Sequence, residues 1–158
     1  MPAACTGPEL AVTPGAYQAG LTHVGLAVEF RNLGDVACHI RGYPRVVALN
    51  KAGHVVADAV QTPRGYLGGL LNGTATLPLV VVLPGQRASA FVEGEVFNVR
   101  RPDASCPPYR ALLVTPPSAS QAVRVPLNSD LCSGLFVHPV VRGTSGQVWR
   151  VSPSLPGA

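Results

Sequence analysis

Residues 23–44 read HVGLAVEFRNLGDVACHIRGYP, and their pattern indicates the class of fold. Its first ten residues alternate with a period of two, which predicts a β-strand with one face in a core and the other toward water. Residues 32–35 predict a turn. The alternation then resumes from Cys38 to Tyr43 and ends at Pro44, which cannot donate to a sheet ladder. We therefore predict that 38–43 is the return strand of a hairpin.

Short apolar runs separated by glycine and proline turns continue along the rest of the chain. They predict a total of eight to ten strands, and no segment has a sustained 3.6-residue period with helix caps. This pattern favours an all-β sandwich, with a closed barrel as the alternative. The further strand candidates are RVVALN (45–50), HVVADAV (54–60), TLPLVVVL (76–83), RASAFVEGEVF (87–97), RALLVTPP (110–117), QAVRVPL (121–127), LFVHPVV (135–141) and GQVWRVS (146–152).

Length and charge narrow the class of protein. A chain of 158 residues suits one domain, and the 13% of charged residues is about half of the usual share. The net charge of +4 is scattered, with Arg100 and Arg101 the one adjacent pair, so we expect no nucleic-acid partner. A mild attraction to anionic envelope polymers or lipids stays open beside an ordinary solvated surface. No apolar run reaches the length of a membrane span.

The four cysteines, Cys5, Cys38, Cys106 and Cys132, are widely spaced. They form no CxxC pair and lack a histidine at zinc-finger spacing, so we expect disulfides and an oxidising compartment rather than a metal site. Three pairings are compatible with the sequence. We favour Cys5–Cys38 with Cys106–Cys132, which closes two separate loops, each worth about 3.5 kcal/mol in the chain-entropy model.

Cys5 has a second interpretation as a lipidated cysteine. The preceding residues PAAC resemble the end of a bacterial lipobox, but Pro2 stands where an aliphatic residue is usual. Lipidation of Cys5 would leave Cys38 unpaired, so we favour the disulfide. A lipid anchor upstream of this chain stays open.

The candidate catalytic groups of the sequence are two glutamates and a serine. Glu93 and Glu95 share one strand face at a spacing of roughly 7 Å, comparable to glycosidase pairs, but the sequence indicates no cleft with sugar-binding aromatics. We expect them on a solvated sheet face. Ser145 in GTSGQ (143–147) lacks the GxSxG spacing of a nucleophile elbow and is expected in a turn.

The four histidines, His23, His39, His54 and His138, are far apart in sequence and lack ligand spacing. We expect them to be exposed to solvent, with His39 and His138 on the polar side of a strand. We therefore predict no catalytic residue, no metal site and no cofactor.

Residues 62–75, TPRGYLGGLLNGTA, form a long glycine-rich loop. Long loops in compact sandwiches often carry function. Tyr66, Leu67, Leu70 and Leu71 are therefore our candidates for a partner-contact patch, since interfaces favour aromatic side chains. The alternative, which we favour because buried leucine is the commoner case, is that these four residues fold back as a lid on the core.

The ordered features of the chain resemble a known family, the exported actinobacterial domain of unknown function 4232. The resemblance covers residues 5 to about 141 and includes an N-x-G-x-x-x-C-x-x-x-G-Y-P segment. The matching residues are Asn32, Gly34, Cys38, Gly42, Tyr43, Pro44, Leu83, Pro84, Gly85, Cys106, Leu112, Val114, Pro116, Pro117 and Cys132. It implies an immunoglobulin-like β-sandwich over 5–141, export and frequent lipid anchoring, and it implies no activity. Residues 142–158, including Trp149, are expected to form a C-terminal extension.

Together these observations predict an exported, non-enzymatic binding or interaction module of the cell envelope. Its partner is expected to be an envelope protein, a lipid or a glycan. The alternatives are an enzyme that acts on an envelope polymer or a small ligand through Glu93, Glu95 or a histidine, and a metal-binding module.

Overall fold

The computed structural model describes residues 1–74 and 76–148, and these residues form an all-β structure. One 3-10 turn, Gly7–Glu9, precedes the strands, and no α-helix occurs in the described part of the chain. The strands are β1 (Leu10–Gly20), β2 (His23–Asn32), β3 (Cys38–Ile40), β4 (Arg45–Leu49), β5 (Val55–Asp58), β6 (Val60–Gln61), β7 (Val80–Val82), β8 (Arg87–Glu95), β9 (Ala111–Thr115), β10 (Val123–Pro126), β11 (Ser133–Val137) and β12 (Val141–Arg142).

The strands form two main sheets and a short ribbon. The first sheet has the order β1-β2-β8-β11-β6, with β12 also paired to β8, and the second has the order β10-β9-β4-β5. The ribbon consists of β3 and β7. Among the strands of the described residues, all pairs are antiparallel except β11 with β6.

One hydrophobic core joins these sheets. Alternate residues of β2 (Leu26, Val28 and Phe30) are buried in the same cluster as Val46 of β4 and Leu112 of β9. The period-two pattern that opens the sequence therefore places this face of β2 in the core, as predicted. The opposite face was expected to meet water, but Gly25 and Ala27 on that face are buried. Burial of such side chains from water is the dominant favourable term in folding.

The predicted hairpin between β2 and residues 38–43 is wrong. β2 pairs with β1 and β8, and β3 pairs with β7 instead. The reason lies in Asn32, which is 1% exposed. Its Nδ2 donates to the carbonyl oxygens of Val36 and Val82, each at 2.9 Å, and its Oδ1 accepts from the Gly34 N–H at 2.8 Å. These bonds direct the chain out of the first sheet and toward β7.

β1 was missed as a strand because its sequence, LAVTPGAYQAG, contains a proline and two glycines. The register shifts between Pro14 and Tyr17, so an irregularity absorbs these residues within the pairing to β2. Such irregularities admit glycine and proline at positions that a regular ladder would disfavour.

The structure contains the disulfides Cys5–Cys38 and Cys106–Cys132, which is the pairing favoured from the sequence. The first attaches the N-terminal segment to β3. The backbone reinforces this attachment, since Cys5 N–H donates to His39 O at 2.8 Å and His39 N–H donates to Ala3 O at 2.9 Å. Two disulfides indicate an oxidising compartment.

The start of the expected C-terminal extension packs against the first sheet. β12 pairs with β8, and Ser89 Oγ donates to Gly143 O and accepts from Gly146 N–H, both at 2.8 Å. The Trp149 tail lies outside the described residues. Within the described ranges, no helix is long and apolar enough to cross a membrane.

Candidate functional site

Strand β8 presents alternate residues to two faces of the first sheet. Ala88, Ala90 and Val92 belong to the core cluster. Ser89, Phe91 and Glu93 point to the opposite side, which we call the outer face. These three outer residues are buried as well, and Glu93 is 2% exposed. The expectation that Glu93 lies on a solvated sheet face is therefore wrong.

His138, which follows β11, lies against Glu93. Its Nε2 is 2.6 Å from Glu93 Oε2, and the histidine is 0% exposed. The expectation of an exposed His138 is also wrong. The cause is local, since the His138 N–H donates to Phe91 O at 3.0 Å and so holds the histidine backbone on β8. Residues from 62 to 70 then cover the pair.

The loop is attached to this pair by hydrogen bonds from its backbone. Leu67 N–H donates to Glu93 Oε1 at 3.0 Å, and Gly68 N–H donates to Glu93 Oε2 at 3.1 Å. Thr62 contacts the other side of the imidazole, where its carbonyl oxygen lies 2.9 Å and its Oγ1 lies 3.1 Å from His138 Nδ1. Glu93, His138 and these loop groups form what we call the polar lock.

Glycines allow the loop to approach this closely. A Cβ on Gly65 would lie 2.5 Å from both Glu93 Oε2 and His138 Nε2, and one on Gly68 would lie 2.6 Å from the ring of Phe91. Such distances are shorter than any van der Waals contact. Gly65 and Gly68 thus allow the loop to pack closely over Glu93, His138 and Phe91.

The hydrogen bonds of the polar lock fit an ion pair. Burial alone would raise the pKa of Glu93, but the His138 hydrogen bond and charge together with the Leu67 and Gly68 amides lower it below the ordinary value. Both ring nitrogens of His138 face acceptors, since a carboxylate and a carbonyl oxygen can only accept. This arrangement suits a histidine that carries a proton on each nitrogen.

A second group lies beside the lock on the same face. His23 of β2 pairs in register with Glu95 of β8, and its Nδ1 is 3.1 Å from Glu95 Oε1. Thr22 Oγ1 donates to Glu95 Oε2 at 2.9 Å. The ring of Tyr66 stacks on His23, with 3.9 Å between ring centroids and 12° between ring planes.

These groups line one cavity of about 240 Å³. Its walls include the two carboxylates of β8, the His23 and Tyr66 rings, and Phe136 of β11. The sequence could not indicate such a cleft, and the structure brings Glu93, Glu95 and His23 together around it. Thr62 and Arg64 of the loop also line this cavity.

The four predicted contact residues differ in exposure. Tyr66 is 57% exposed, whereas Leu70 is 5% exposed and Leu67 and Leu71 are partly buried. Tyr66 therefore presents the one largely exposed side chain among the four. Leu70 follows the alternative interpretation, in which part of the loop folds back as a lid.

The other candidate groups lie apart from this cavity. Ser145 Oγ donates to Gln147 O at 3.2 Å within a turn, and His39 Nδ1 lies 2.7 Å from Pro2 O. His54 is exposed. Among residues 1–74 and 76–148, no three histidine, cysteine, aspartate or glutamate side chains are placed to hold a metal ion.

A larger cavity of about 640 Å³ lies on another part of the surface, between the Gly7–Glu9 turn and the segment 116–123. Its lining contains hydroxyl, amide and apolar groups and no ionisable side chain. It therefore offers fewer means of orienting a ligand than the cavity beside Tyr66.

Sequence reasoning missed the Glu93–His138 pair because the two residues are 45 positions apart. A signal was present, however. Glu93 alternates with Phe91 on one strand face, and an aromatic ring beside an acidic residue indicates that this face is covered. The glycine cluster at 65, 68 and 69 indicates what covers it.

The comparisons with known proteins agree with the sequence resemblance. Residues 5–145 match the family described as Domain of unknown function (DUF4232). No curated protein and no solved structure matches the chain.

Proposed function

Since the chain belongs to the DUF4232 family, whose description assigns no function, we propose from its geometry that it is a non-enzymatic binding module of the cell envelope. One observation carries this proposal. Tyr66 is 57% exposed, yet its ring stacks on the ring of His23. The backbone N–H groups of the next two residues, Leu67 and Gly68, donate to the buried Glu93.

An exposed aromatic side chain that is already ordered is suited to binding. Aromatic residues are enriched at interface cores, and Tyr buries a large area with few rotatable bonds. A contact residue fixed before binding loses less conformational entropy when the partner arrives. The polar lock therefore supports recognition by keeping Tyr66 in one position.

The location at the envelope is part of the same proposal. Two disulfides are consistent with an exported protein, and an immunoglobulin-like arrangement of the two sheets would match the family resemblance. In such a sandwich, ligand contacts commonly come from loops carried by a rigid scaffold. Loop 62–74 is carried in this way by the first sheet, since its backbone is hydrogen-bonded to Glu93 of β8.

An enzyme is the second candidate, because Glu93, Glu95 and His23 converge on one cavity. The surroundings of Glu93 favour binding over catalysis. Both of its oxygens accept hydrogen bonds, and its lowered pKa makes it a poor proton donor at neutral pH. A general acid in a glycosidase has instead a raised pKa.

Sedimentation with isolated cell envelopes tests the proposal. Purified protein with both disulfides intact should co-sediment in a saturable manner, and Tyr66→Ala should lose most of this binding. Val99→Ala is the matched control, since Val99 is 55% exposed and lies outside the cavity. Absence of saturable binding, or equal binding by Tyr66→Ala and Val99→Ala, would overturn the proposal.

A further inference from the structure

The cavity beside Tyr66 has two aromatic walls. Tyr66 is 57% exposed and Phe136 is 38% exposed, and both line the same space. Because His23 covers one face of the Tyr66 ring, the opposite face and the ring edge account for its exposure. Partly exposed aromatic rings around a cavity provide apolar surface with an electron-rich face, against which polarised C–H groups pack favourably.

Charged groups of both signs line the cavity, with the carboxylates of Glu93 and Glu95 and the guanidinium of Arg64 in one lining. Glu93 is paired with His138, and Glu95 is paired with His23. Arg64 donates to the carbonyl oxygens of Leu71 and Thr74 within its own loop. A ligand charge of either sign would therefore meet a like charge in the same cavity, and its desolvation would oppose binding. The site is suited to a neutral ligand.

Hydrogen-bonding groups remain available at the cavity wall. The Glu95 side chain is 17% exposed, and its carboxylate has acceptor capacity beyond its bonds to His23 and Thr22. The His23 side chain is 26% exposed and has a second ring nitrogen, and Thr62 contributes a hydroxyl. A ligand with several hydroxyl groups would match this mixture of donors and acceptors.

The cavity has room for about one six-membered ring. A volume of about 240 Å³ equals that of roughly eight water molecules at ~30 Å³ each. Pockets for drug-sized ligands begin at about 300 Å³. One six-membered ring with its substituents fits this space, and the rest of a longer chain would have to lie outside it.

We propose that this cavity binds one neutral sugar ring of an envelope glycan, with an apolar ring face against Tyr66 and a hydroxyl group donating to Glu95. This proposal rests on the proposed binding function and names the ligand class of the same site. The stacked ring of Tyr66 supplies the main contact, and the polar groups orient the ring.

An NMR titration of the whole chain tests the proposal. Methyl α-mannoside, methyl α-glucoside, methyl β-galactoside and N-acetylglucosamine are added separately to the ¹⁵N-labelled protein up to about 50 mM, which saturates a site with a Kd of about 1 mM. At least one should give saturable shifts of the Tyr66, Gly94 and Glu95 amides. Glucuronate and glucosamine are the charged comparisons and should bind more weakly.

Two substitutions of one residue separate a ring contact from a structural role. Tyr66→Ala should weaken binding at least about 10-fold, equivalent to about 1.4 kcal/mol, whereas Tyr66→Phe keeps the ring and should bind within about 2-fold of wild type. Well-dispersed spectra of both variants show that the fold is kept. Equal affinity of Tyr66→Ala and wild type would overturn the proposal, as would binding of the charged sugars alone.

Failure of the sugar site can be distinguished from failure of the proposed function. If no sugar gives saturable shifts but the envelope sedimentation depends on Tyr66, the sugar proposal is overturned and the binding function stands. If neither assay gives saturable binding, both are overturned.

Discussion

The two faces of strand β8 are both buried, and they are buried by different means. On the core side, Ala90 and Val92 meet the apolar residues of the other strands. On the outer face, Ser89 bonds to Gly143 and Gly146, and Glu93 bonds to His138 and to two loop amides. The core side tolerates exchange among apolar residues of similar volume, whereas the outer face requires particular donors, acceptors and glycines.

The largest expected effect comes from the hydrophobic core that the core side of β8 faces, which includes Phe30 of β2. Phe30 is 0% exposed within the core cluster, so Phe30→Ala should lower the free energy of unfolding by about 4 kcal/mol through lost burial and the cavity left behind. Phe136→Ala removes the same ring from a site that is 38% exposed and should cost about 1 kcal/mol. Urea unfolding measures both, and a larger loss for Phe136→Ala would contradict the assignment of the core.

Breaking the polar lock should cost nearly as much. Glu93→Gln removes the charge that compensates His138 in a buried site, and we expect a loss of about 3 kcal/mol in urea unfolding. Glu29→Gln is the matched control, because Glu29 pairs with Arg87 at 3.0 Å on a partly exposed part of the same sheet and should cost less than about 1 kcal/mol. Equal losses would mean that the buried Glu93–His138 pair contributes no more stability than the partly exposed Glu29–Arg87 pair.

The core-facing residues were predictable from the sequence, because the period-two alternation of a strand depends only on the order of neighbouring residues. The alternation of Leu26, Val28 and Phe30 was sufficient to place them inside, and cysteine spacing was sufficient to favour the pairing. The route of the chain after Asn32 was not predictable, because it depends on a hydrogen bond to Val82, 50 residues away. Tertiary contacts of this kind leave no periodic signal.

The outer face was predicted wrongly for a related reason. Glu93 and His138 are charged or polar residues, and isolated residues of these types usually lie at the surface. Their burial depends on the pairing of the two side chains with each other and on hydrogen bonds from the loop amides. The loop, Glu93 and His138 come from three separate parts of the chain. Tyr66 was identified as a candidate from loop length and residue type, but its stacking on His23 required the structure.

A smaller loss of stability should follow from filling the space between the loop and the Glu93–His138 pair. Gly65→Ala places a methyl group 2.5 Å from Glu93 and His138, and displacement of the loop should cost about 2 kcal/mol. In Gly20→Ala the new methyl group would make ordinary 3.5 Å contacts with Tyr66 and Leu67, and a change near zero or a slight gain is expected. Urea unfolding that shows the two variants to be equally stable would contradict the close approach.

A change of pH tests how much the charge of Glu93 contributes to stability. Hydrogen bonds and the charge of His138 outweigh the effect of burial and hold the pKa of Glu93 below its ordinary value. Because the pKa in the folded state is lower than the value of about 4.3 in the unfolded chain, Glu93 stabilises the fold above that pH. This contribution is lost as the pH falls through the folded-state pKa.

We therefore expect the difference in urea midpoint between wild type and Glu93→Gln to be largest near neutral pH and to narrow below about pH 4. Glutamine does not titrate, so the variant lacks this part of the acid sensitivity. The core side provides the comparison, since Phe30→Ala removes no ionisable group and its difference from wild type should persist over the same range. If the Glu93→Gln difference stays constant down to about pH 3, then the outer face is held by packing and not by the charge of Glu93.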